Sequence, residues 1–265
     1  VRYDRDHHSR DVDDRRGQAS IRGPDANVVF LLLRLGARFG WPGIVVAVLA
    51  VVGITAVQTF SSGGGGGGVE GDPAFASFVF DDVQTTFAAV APGYARSRMV
   101  LYRGGTATGC GYGDAATGPF YCPADQQVYL DLSFFEELGT RFGAPGDFAA
   151  AYVIAHEVGH HLQHLAGVDR RVRDRTGADS DGVRLELQAD CLAGVWAASA
   201  ARRGLLEPGD VDEGLRAAAA VGDDALQRAG RGRVVPDSFT HGTSAQRTRA
   251  FRDGLEGGAP ASCGL

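Results

Sequence analysis

The chain contains no lysine. All 26 of its basic residues are arginine, and 32 acidic residues leave a formal charge of −6. This excludes chemistry built on a lysine: a Schiff base, an amine nucleophile or a phosphate-loop lysine. The acidic balance gives general nucleic-acid binding no electrostatic support. Glutamate is scarce too, with eight residues against 24 aspartates, so the position of each one is informative. Asparagine and methionine occur once each, as Asn27 and Met99. The pattern matches a GC-rich coding bias more than a physical need. The four cysteines include no C-x-x-C pair, which argues against a structural zinc site.

At 265 residues the chain has room for one folded domain with appendages, or two small domains. It can bury a core without staples. Residues 1–40 mix arginine and aspartate with little apolar pattern and read as a disordered cytoplasmic tail. Residues 41–60 (WPGIVVAVLAVVGITAVQTF) carry no charge, and about 20 apolar residues span a bilayer as a helix. Arg34 and Arg38 precede this run, which favours a cytoplasmic N-terminus, and Trp41 suits an interfacial anchor. A buried helix and a cleaved signal peptide are the alternatives; the long polar lead and the lack of an A-x-A site argue against the second. Residues 61–72 open with SSGGGGGG and read as a flexible linker. The expected plan is a single-pass cell-membrane protein whose domain, residues 73–265, lies outside the cytoplasm. Cys110, Cys122, Cys191 and Cys263 all fall in that domain. Two disulfides allow three connectivities. The Gly-rich turn region between Cys110 and Cys122 favours that pair, with Cys191–Cys263 as the other.

Within the domain the pattern is mixed. Helical spacing runs over residues 75–90, short apolar runs at 99–102 and 128–130 read as strands, and 133–142 reads as a helix closed by Gly143. From Asp147 the sequence DFAAAYVIAHEVGHHLQHLAG predicts a helix ended by Gly167. It contains His156-Glu157-Val158-Gly159-His160, an H-E-x-x-H motif. Two histidines at i and i+4 share a helix face, so both imidazoles can bind one metal ion. Glu157, one residue offset, suits a general base acting on a metal-activated water. At this chain's His and Glu frequencies the pattern arises by chance in about 0.006 places per chain, which makes it specific.

A catalytic zinc site needs a third protein ligand. A second predicted helix, residues 183–201, carries Glu186 and Asp190 one turn apart. Glu186 can complete a His₂Glu set, and Asp190 can accept the N–H of a ligand histidine. A solvated acidic face is the alternative, but the surrounding Leu185, Leu187, Leu192, Val195 and Trp196 make most of this helix core-like, and acids there need partners. Near the C-terminus, SFTHGTSAQR contributes His241 and Arg247, which could stabilise an oxyanion; an ordinary loop leading into a helix capped by Thr243 or Ser244 is equally compatible. His161 and His164 lie off the metal-binding register and read as non-ligands.

Four segments, GCGYGDAATGPFYCPADQQVYLDLSFFEEL (109–138), GDFAAAYVIAHEVGHHLQ (146–163), LELQADCLAGVWA (185–197) and VVPDSFTHGTSAQR (234–247), resemble the neutral zinc metallopeptidases of bacteria. The tail sequence VDDRRG (12–17) resembles that family's N-terminus. More widely the chain resembles gluzincins such as thermolysin and the CaaX prenyl-protein peptidases. The resemblance implies His156, His160 and Glu186 as Zn²⁺ ligands, Glu157 as general base and Asp190 as the partner of a ligand histidine. The late His241 and Arg247 match the prenyl-peptidase pattern, except that Gly242 stands where that group has proline, and the multi-span membrane core of those enzymes is absent.

These observations predict an α+β, zincin-like domain that hydrolyses peptide bonds of a protein or peptide substrate with zinc. A membrane-tethered binding or scaffold module with a non-catalytic zinc site, and a zinc hydrolase of cell-wall amides, are the alternatives.

Overall fold

The computed structural model describes residues 1–18, 71–114 and 117–265. Among them the architecture is α+β, a mixed sheet packed on a group of helices. Strands β1 (Val12–Asp14), β2 (Arg98–Tyr102), β6 (Gln127–Asp131) and β5 (Phe120–Cys122) form the main sheet in that order. The pairs β1–β2 and β2–β6 are parallel, while β5 runs antiparallel to β6 with Tyr121 opposite Val128. Strand β5 is therefore an edge. A separate hairpin, β3 (Gly105–Thr108) and β4 (Gly111–Asp114), lies between β2 and β5 in the chain.

The central strands are apolar at almost every position because both faces are covered. Met99, Leu101, Val128 and Leu130 point into the main core, whereas Val100, Tyr102 and Tyr129 form a smaller cluster with Cys122 and Phe120. The hairpin closes on that second cluster. A Cβ on Gly113 would lie 2.7 Å from the Phe120 ring, so glycine lets β4 approach. The Cys110–Cys122 disulfide then fastens the hairpin to β5.

Seven helices follow the same logic on the other side: α1 (Pro73–Val90), α2 (Ser133–Thr140), α3 (Asp147–Leu165), α4 (Asp181–Arg202), α5 (Asp210–Ala220), α6 (Asp223–Arg231) and α7 (Ser244–Gly257). Asp72 caps α1, with Pro73 in its first turn, and Ser180 caps α4 through the amide of Val183. Thr243 and Gln246 form a capping box on α7, the reciprocal arrangement that satisfies two orphan amides. Helices α3, α4 and α7 meet at three glycines. A Cβ on Gly159 would sit 3.3 Å from the Ala189 carbonyl, one on Gly194 2.0 Å from that of Phe251, and one on Gly254 1.8 Å from that of Cys191. Phe148 stacks on Trp196 at 5.7 Å beside Phe251. A second disulfide, Cys191–Cys263, ties α4 to the C-terminal turn. Both cysteine pairings are those expected.

One expectation is corrected. The first part of the supposed disordered tail, residues 1–18, belongs to the fold: β1 extends the sheet, and the Arg15 amide donates to the Leu101 carbonyl at 2.8 Å. The polar composition misled because these side chains are satisfied by specific partners. Arg96 reaches Asp11 at 2.5 Å, and Ser9 donates to Asp81 at 2.9 Å. Strands β1 and β2 are hydrogen-bonded neighbours in one sheet. The expected membrane helix, residues 41–60, and most of the expected linker, 61–70, lie outside the described residues. Among the described residues no helix is long and apolar enough to cross a membrane.

Candidate metal centre

Helices α3 and α4 cross where Gly159 faces Ala189, and that close approach brings the two motif segments together. His156 and His160 project from one face of α3, and Glu186 meets them from α4. One donor atom from each side chain forms a triangle with every edge within 4.8 Å. The two Nε2 atoms are 3.1 Å apart, Glu186 Oε2 lies 3.3 Å from His156 Nε2, and Glu186 Oε1 lies 3.5 Å from His160 Nε2. The donor set of two imidazoles and one carboxylate suits zinc.

The far side of each imidazole is fixed. His156 donates through Nδ1 to Asp190 at 2.8 Å, and His160 through Nδ1 to Gln163 Oε1 at 2.8 Å. Protons on both Nδ1 atoms leave the Nε2 lone pairs facing the centre. Asp190 is fully buried and accepts from four groups: His156, the hydroxyl of Tyr152, and Arg247 through Nε and Nη2, both at 2.8 Å. Gln163, also fully buried, donates to the Leu185 carbonyl at 2.7 Å and to Gln188 at 2.9 Å. Gln188 in turn donates to the carbonyl of Cys263 at 2.9 Å.

Electrostatics favour a cation here. Burial disfavours charge on His156, but the Asp190 and Glu186 carboxylates outweigh it and carry its pKa up to about 10. Burial likewise opposes ionisation of Glu186, yet His160 and His156 hold its carboxyl well below the usual range. Glu157 differs. Burial pushes its pKa up, opposed by the two histidines and by a backbone N–H from Tyr121. It borders the centre without belonging to the triangle, beside a cleft of about 370 Å³.

The sequence-predicted residues are distributed as follows. His156, Glu157, His160 and Glu186 line the cleft, with Asp190 behind His156. His241 is on the cleft wall, half exposed, with Nδ1 2.8 Å from the Thr240 hydroxyl and 3.5 Å from Asp223. Asp223 accepts the amides of Thr240, His241 and Gly242, which fixes this loop. Arg247 also borders the cleft, but four of its five N–H donors are engaged by Asp190, Tyr152 and the Val221 carbonyl. His161 and His164 face away, His161 toward Tyr121 and His164 toward Asp169. A further carboxylate group, Asp147, Asp210 and Glu213, contains no histidine, and two of its members pair with the Val1 ammonium.

Sequence reasoning missed Gln163, Tyr152 and Tyr121. The first two were accessible from helical spacing, three residues after His160 and four before His156. Tyr121 was not, because only the sheet brings it beside α3.

The family model described as "Putative neutral zinc metallopeptidase" matches residues 1–265. The chain belongs to the neutral zinc metallopeptidase family. It is similar to the uncharacterized protein YpfJ of Escherichia coli, 55% identical over 176 residues that cover 64% of this chain and 61% of that protein. It is also similar to the uncharacterized protein Rv2575 of Mycobacterium tuberculosis, 46% identical over 195 residues, 69% of this chain and 67% of that one. The match thus spans about three fifths of the E. coli relative's length. No solved structure matches the chain significantly.

Proposed function

We propose that this chain is a zinc-dependent metallopeptidase that hydrolyses peptide bonds, with His156, His160 and Glu186 as ligands. The observation that carries this reading is the convergence of one donor atom from each of these three side chains within 4.8 Å, with Glu157 beside them in the same cleft. A zinc ion held by His156, His160 and Glu186 would supply Lewis acidity toward a peptide carbonyl and a water molecule. Glu157 takes the water proton and delivers it to the leaving amine. A carboxylate whose pKa burial has raised suits both halves of that transfer. Asp190, fixed by Arg247 and Tyr152, keeps the His156 ring in register.

The cleft supports a peptide substrate. Phe120 and Tyr121 of the edge strand, with Pro119 just before it, form one wall, and an exposed strand edge can accept an extended chain by backbone pairing. Phe134, Phe142, Val153, Val221 and Leu226 offer apolar surface for side chains. His241, at the open side, is positioned to approach a developing oxyanion. Arg247 acts through Asp190, since four of its five N–H donors are engaged away from the cleft, two of them by that carboxylate.

Location outside the cytoplasm is part of the proposal, supported by two closed disulfides, which persist in oxidising compartments. So is membrane attachment through the apolar sequence 41–60, with residues 1–18 on the same side as the domain.

The test is Glu157→Gln. Zinc stoichiometry stays as in the parent protein, while chelator-sensitive hydrolysis of a peptide library falls by about 10²–10⁴-fold. Retained zinc-dependent hydrolysis in this variant refutes the assignment.

A further inference from the structure

The two ligand histidines rest on different supports. His156 has the buried carboxylate of Asp190 behind it, whereas His160 has the side-chain amide of Gln163. A neutral amide can present either its oxygen or its nitrogen, so something further must decide which. Gln163 Oε1 lies 2.8 Å from His160 Nδ1, and Gln163 Nε2 donates to the Leu185 carbonyl at 2.7 Å and to Gln188 Oε1 at 2.9 Å. Gln188 Nε2 donates in turn to the Cys263 carbonyl at 2.9 Å. The two backbone carbonyls can only accept, so both amides turn their nitrogens toward them. Gln163 is then left with its oxygen facing His160, which puts the ring proton on Nδ1 and the lone pair on Nε2, toward Glu186.

This series of bonds ends on the turn Pro260–Cys263, whose own backbone bonds are local: Ser262 donates to Ala259 and Leu265 to Pro260. The Cys191–Cys263 disulfide joins the turn to α4. Gln188 and Cys191 are three residues apart on α4 and therefore share a face. That face grips Cys263 at two points, its sulfur through Cys191 and its carbonyl through Gln188. None of Gln163, Gln188, Cys191 and Cys263 borders the cleft, so whatever they do at the centre they do through His160.

We propose that Gln188 is a positioning residue for the zinc ligand His160, and that the Cys191–Cys263 disulfide holds it in that role. This rests on the reading of His156, His160 and Glu186 as zinc ligands. With the disulfide closed, the Cys263 carbonyl keeps the Gln188 amide one way round, Gln188 and Leu185 orient Gln163, and Gln163 fixes the imidazole. With the two sulfurs apart, the turn loses its covalent tie to α4, and Gln188 can rotate to set nitrogen against nitrogen at Gln163. Leu185 still orients Gln163, so zinc binding weakens and is not abolished. The metal centre is tightest in the disulfide-closed protein.

Variants of the full chain test this by zinc competition against a fluorescent chelator. Gln188→Ala removes the acceptor for Gln163 and keeps the disulfide. Its zinc affinity falls about fivefold, less than the loss of about 10–100-fold that follows removal of a ligand's own hydrogen-bond partner. Cys191→Ala/Cys263→Ala frees the carbonyl and lowers affinity about threefold. The triple variant binds no more weakly than Gln188→Ala, because both changes break one link. Cys110→Ala/Cys122→Ala opens the other disulfide, on the hairpin, and keeps the parental affinity. A second readout is the His160 Nδ1 proton, followed by NMR in zinc-loaded protein. In Gln188→Ala it exchanges with solvent at least about threefold faster while the His156 Nδ1 proton keeps its rate, whereas a general loss of stability speeds both. Parental affinity in Gln188→Ala, losses that multiply in the triple variant, an equal loss in the Cys110 and Cys122 variant, or unchanged His160 exchange each overturn the proposal. A parent protein that shows these shifts but cleaves no peptide sinks the peptidase reading and leaves the linkage standing. A parent that binds zinc no more tightly than His160→Ala removes the metal centre and the linkage with it.

Discussion

Replacing Arg247 by methionine tests what this buried guanidinium does. The side chain is 4% exposed, and Asp190, its partner, is 0% exposed. The substitution keeps most of the volume and removes two charge-assisted hydrogen bonds to Asp190, each 2.8 Å long. Bonds of this type contribute about 1.5–3 kcal/mol each, and Asp190 has no exposed surface through which bulk solvent replaces them. Removing one partner of a buried ion pair typically costs about 3–5 kcal/mol. That is a large part of a domain stability of about 5–15 kcal/mol, and it corresponds to a fall in Tm on the order of 10 °C. A pH signature accompanies it. Burial tends to raise the Asp190 pKa, but Arg247 and His156 overcome this and hold it at about 2 in the metal-free protein. A depressed carboxyl contributes stability that is present above its unfolded pKa, near 3.9, and lost as pH falls through the folded value. Without Arg247 the folded pKa rises, so acid unfolding begins at higher pH. Urea melts across pH 2–7 measure both effects, and chelator competition measures zinc affinity, expected to fall about 10–100-fold as the His156 ring loses its anchor. If Arg247→Met melts within about 1 kcal/mol of the parent and binds zinc equally well while losing activity, the guanidinium serves substrate and the structural argument fails.

Gln163→Ala removes the acceptor that fixes His160 and the donor to the Gln188 side-chain oxygen; zinc affinity drops about 10–100-fold, measured by competition with a fluorescent chelator, and an unchanged affinity counts against the role. Gly254→Ala places a Cβ 1.8 Å from the Cys191 carbonyl, a backbone clash that α4 and α7 relieve only by moving apart. The expected loss is about 3 kcal/mol or more in a urea melt, and a neutral result means the helices can separate locally without cost.

The helices and their ligands were legible because helical periodicity is local. His156 and His160 are one turn apart, Glu186 and Asp190 are one turn apart, and nothing distant is needed to see that each pair shares a face. The crossing of α3 and α4 was not legible, although its cause, Gly159 inside the motif, was in plain view. Arg247 shows the opposite failure. A matching spacing to His241 suggested one shared task at the oxyanion, but the capping box of α7 turns Arg247 inward to Asp190 and leaves His241 in the loop before it. Tyr121 and His161 escaped for a third reason: their bond joins residues 40 apart and exists only because β5 is the strand that flanks α3.

The N-terminal residues make the strongest case that composition is not conformation. A segment with few apolar groups cannot bury enough surface to fold alone, and by that rule residues 1–18 belong to a solvated tail. The rule fails when a folded edge is waiting. Strand β2 offers backbone groups to β1 along Val12–Asp14, and ladder bonds require no apolar side chains. Asp11 and Asp81 share Arg96, Ser9 and His7 also bond Asp81, and Asp13 and Asp14 hold Arg15 and Arg16. The alternating charges that looked like a solvated mixture are partners in ion pairs. This has a consequence for topology that hydropathy alone does not reach. A charge bias around residues 41–60 predicts which flank stays inside only if the flanks are independent, and hydrogen-bonded neighbours in one sheet are not. The pairing of β1 with β2 places VDDRRG in the sheet that borders the candidate metal centre.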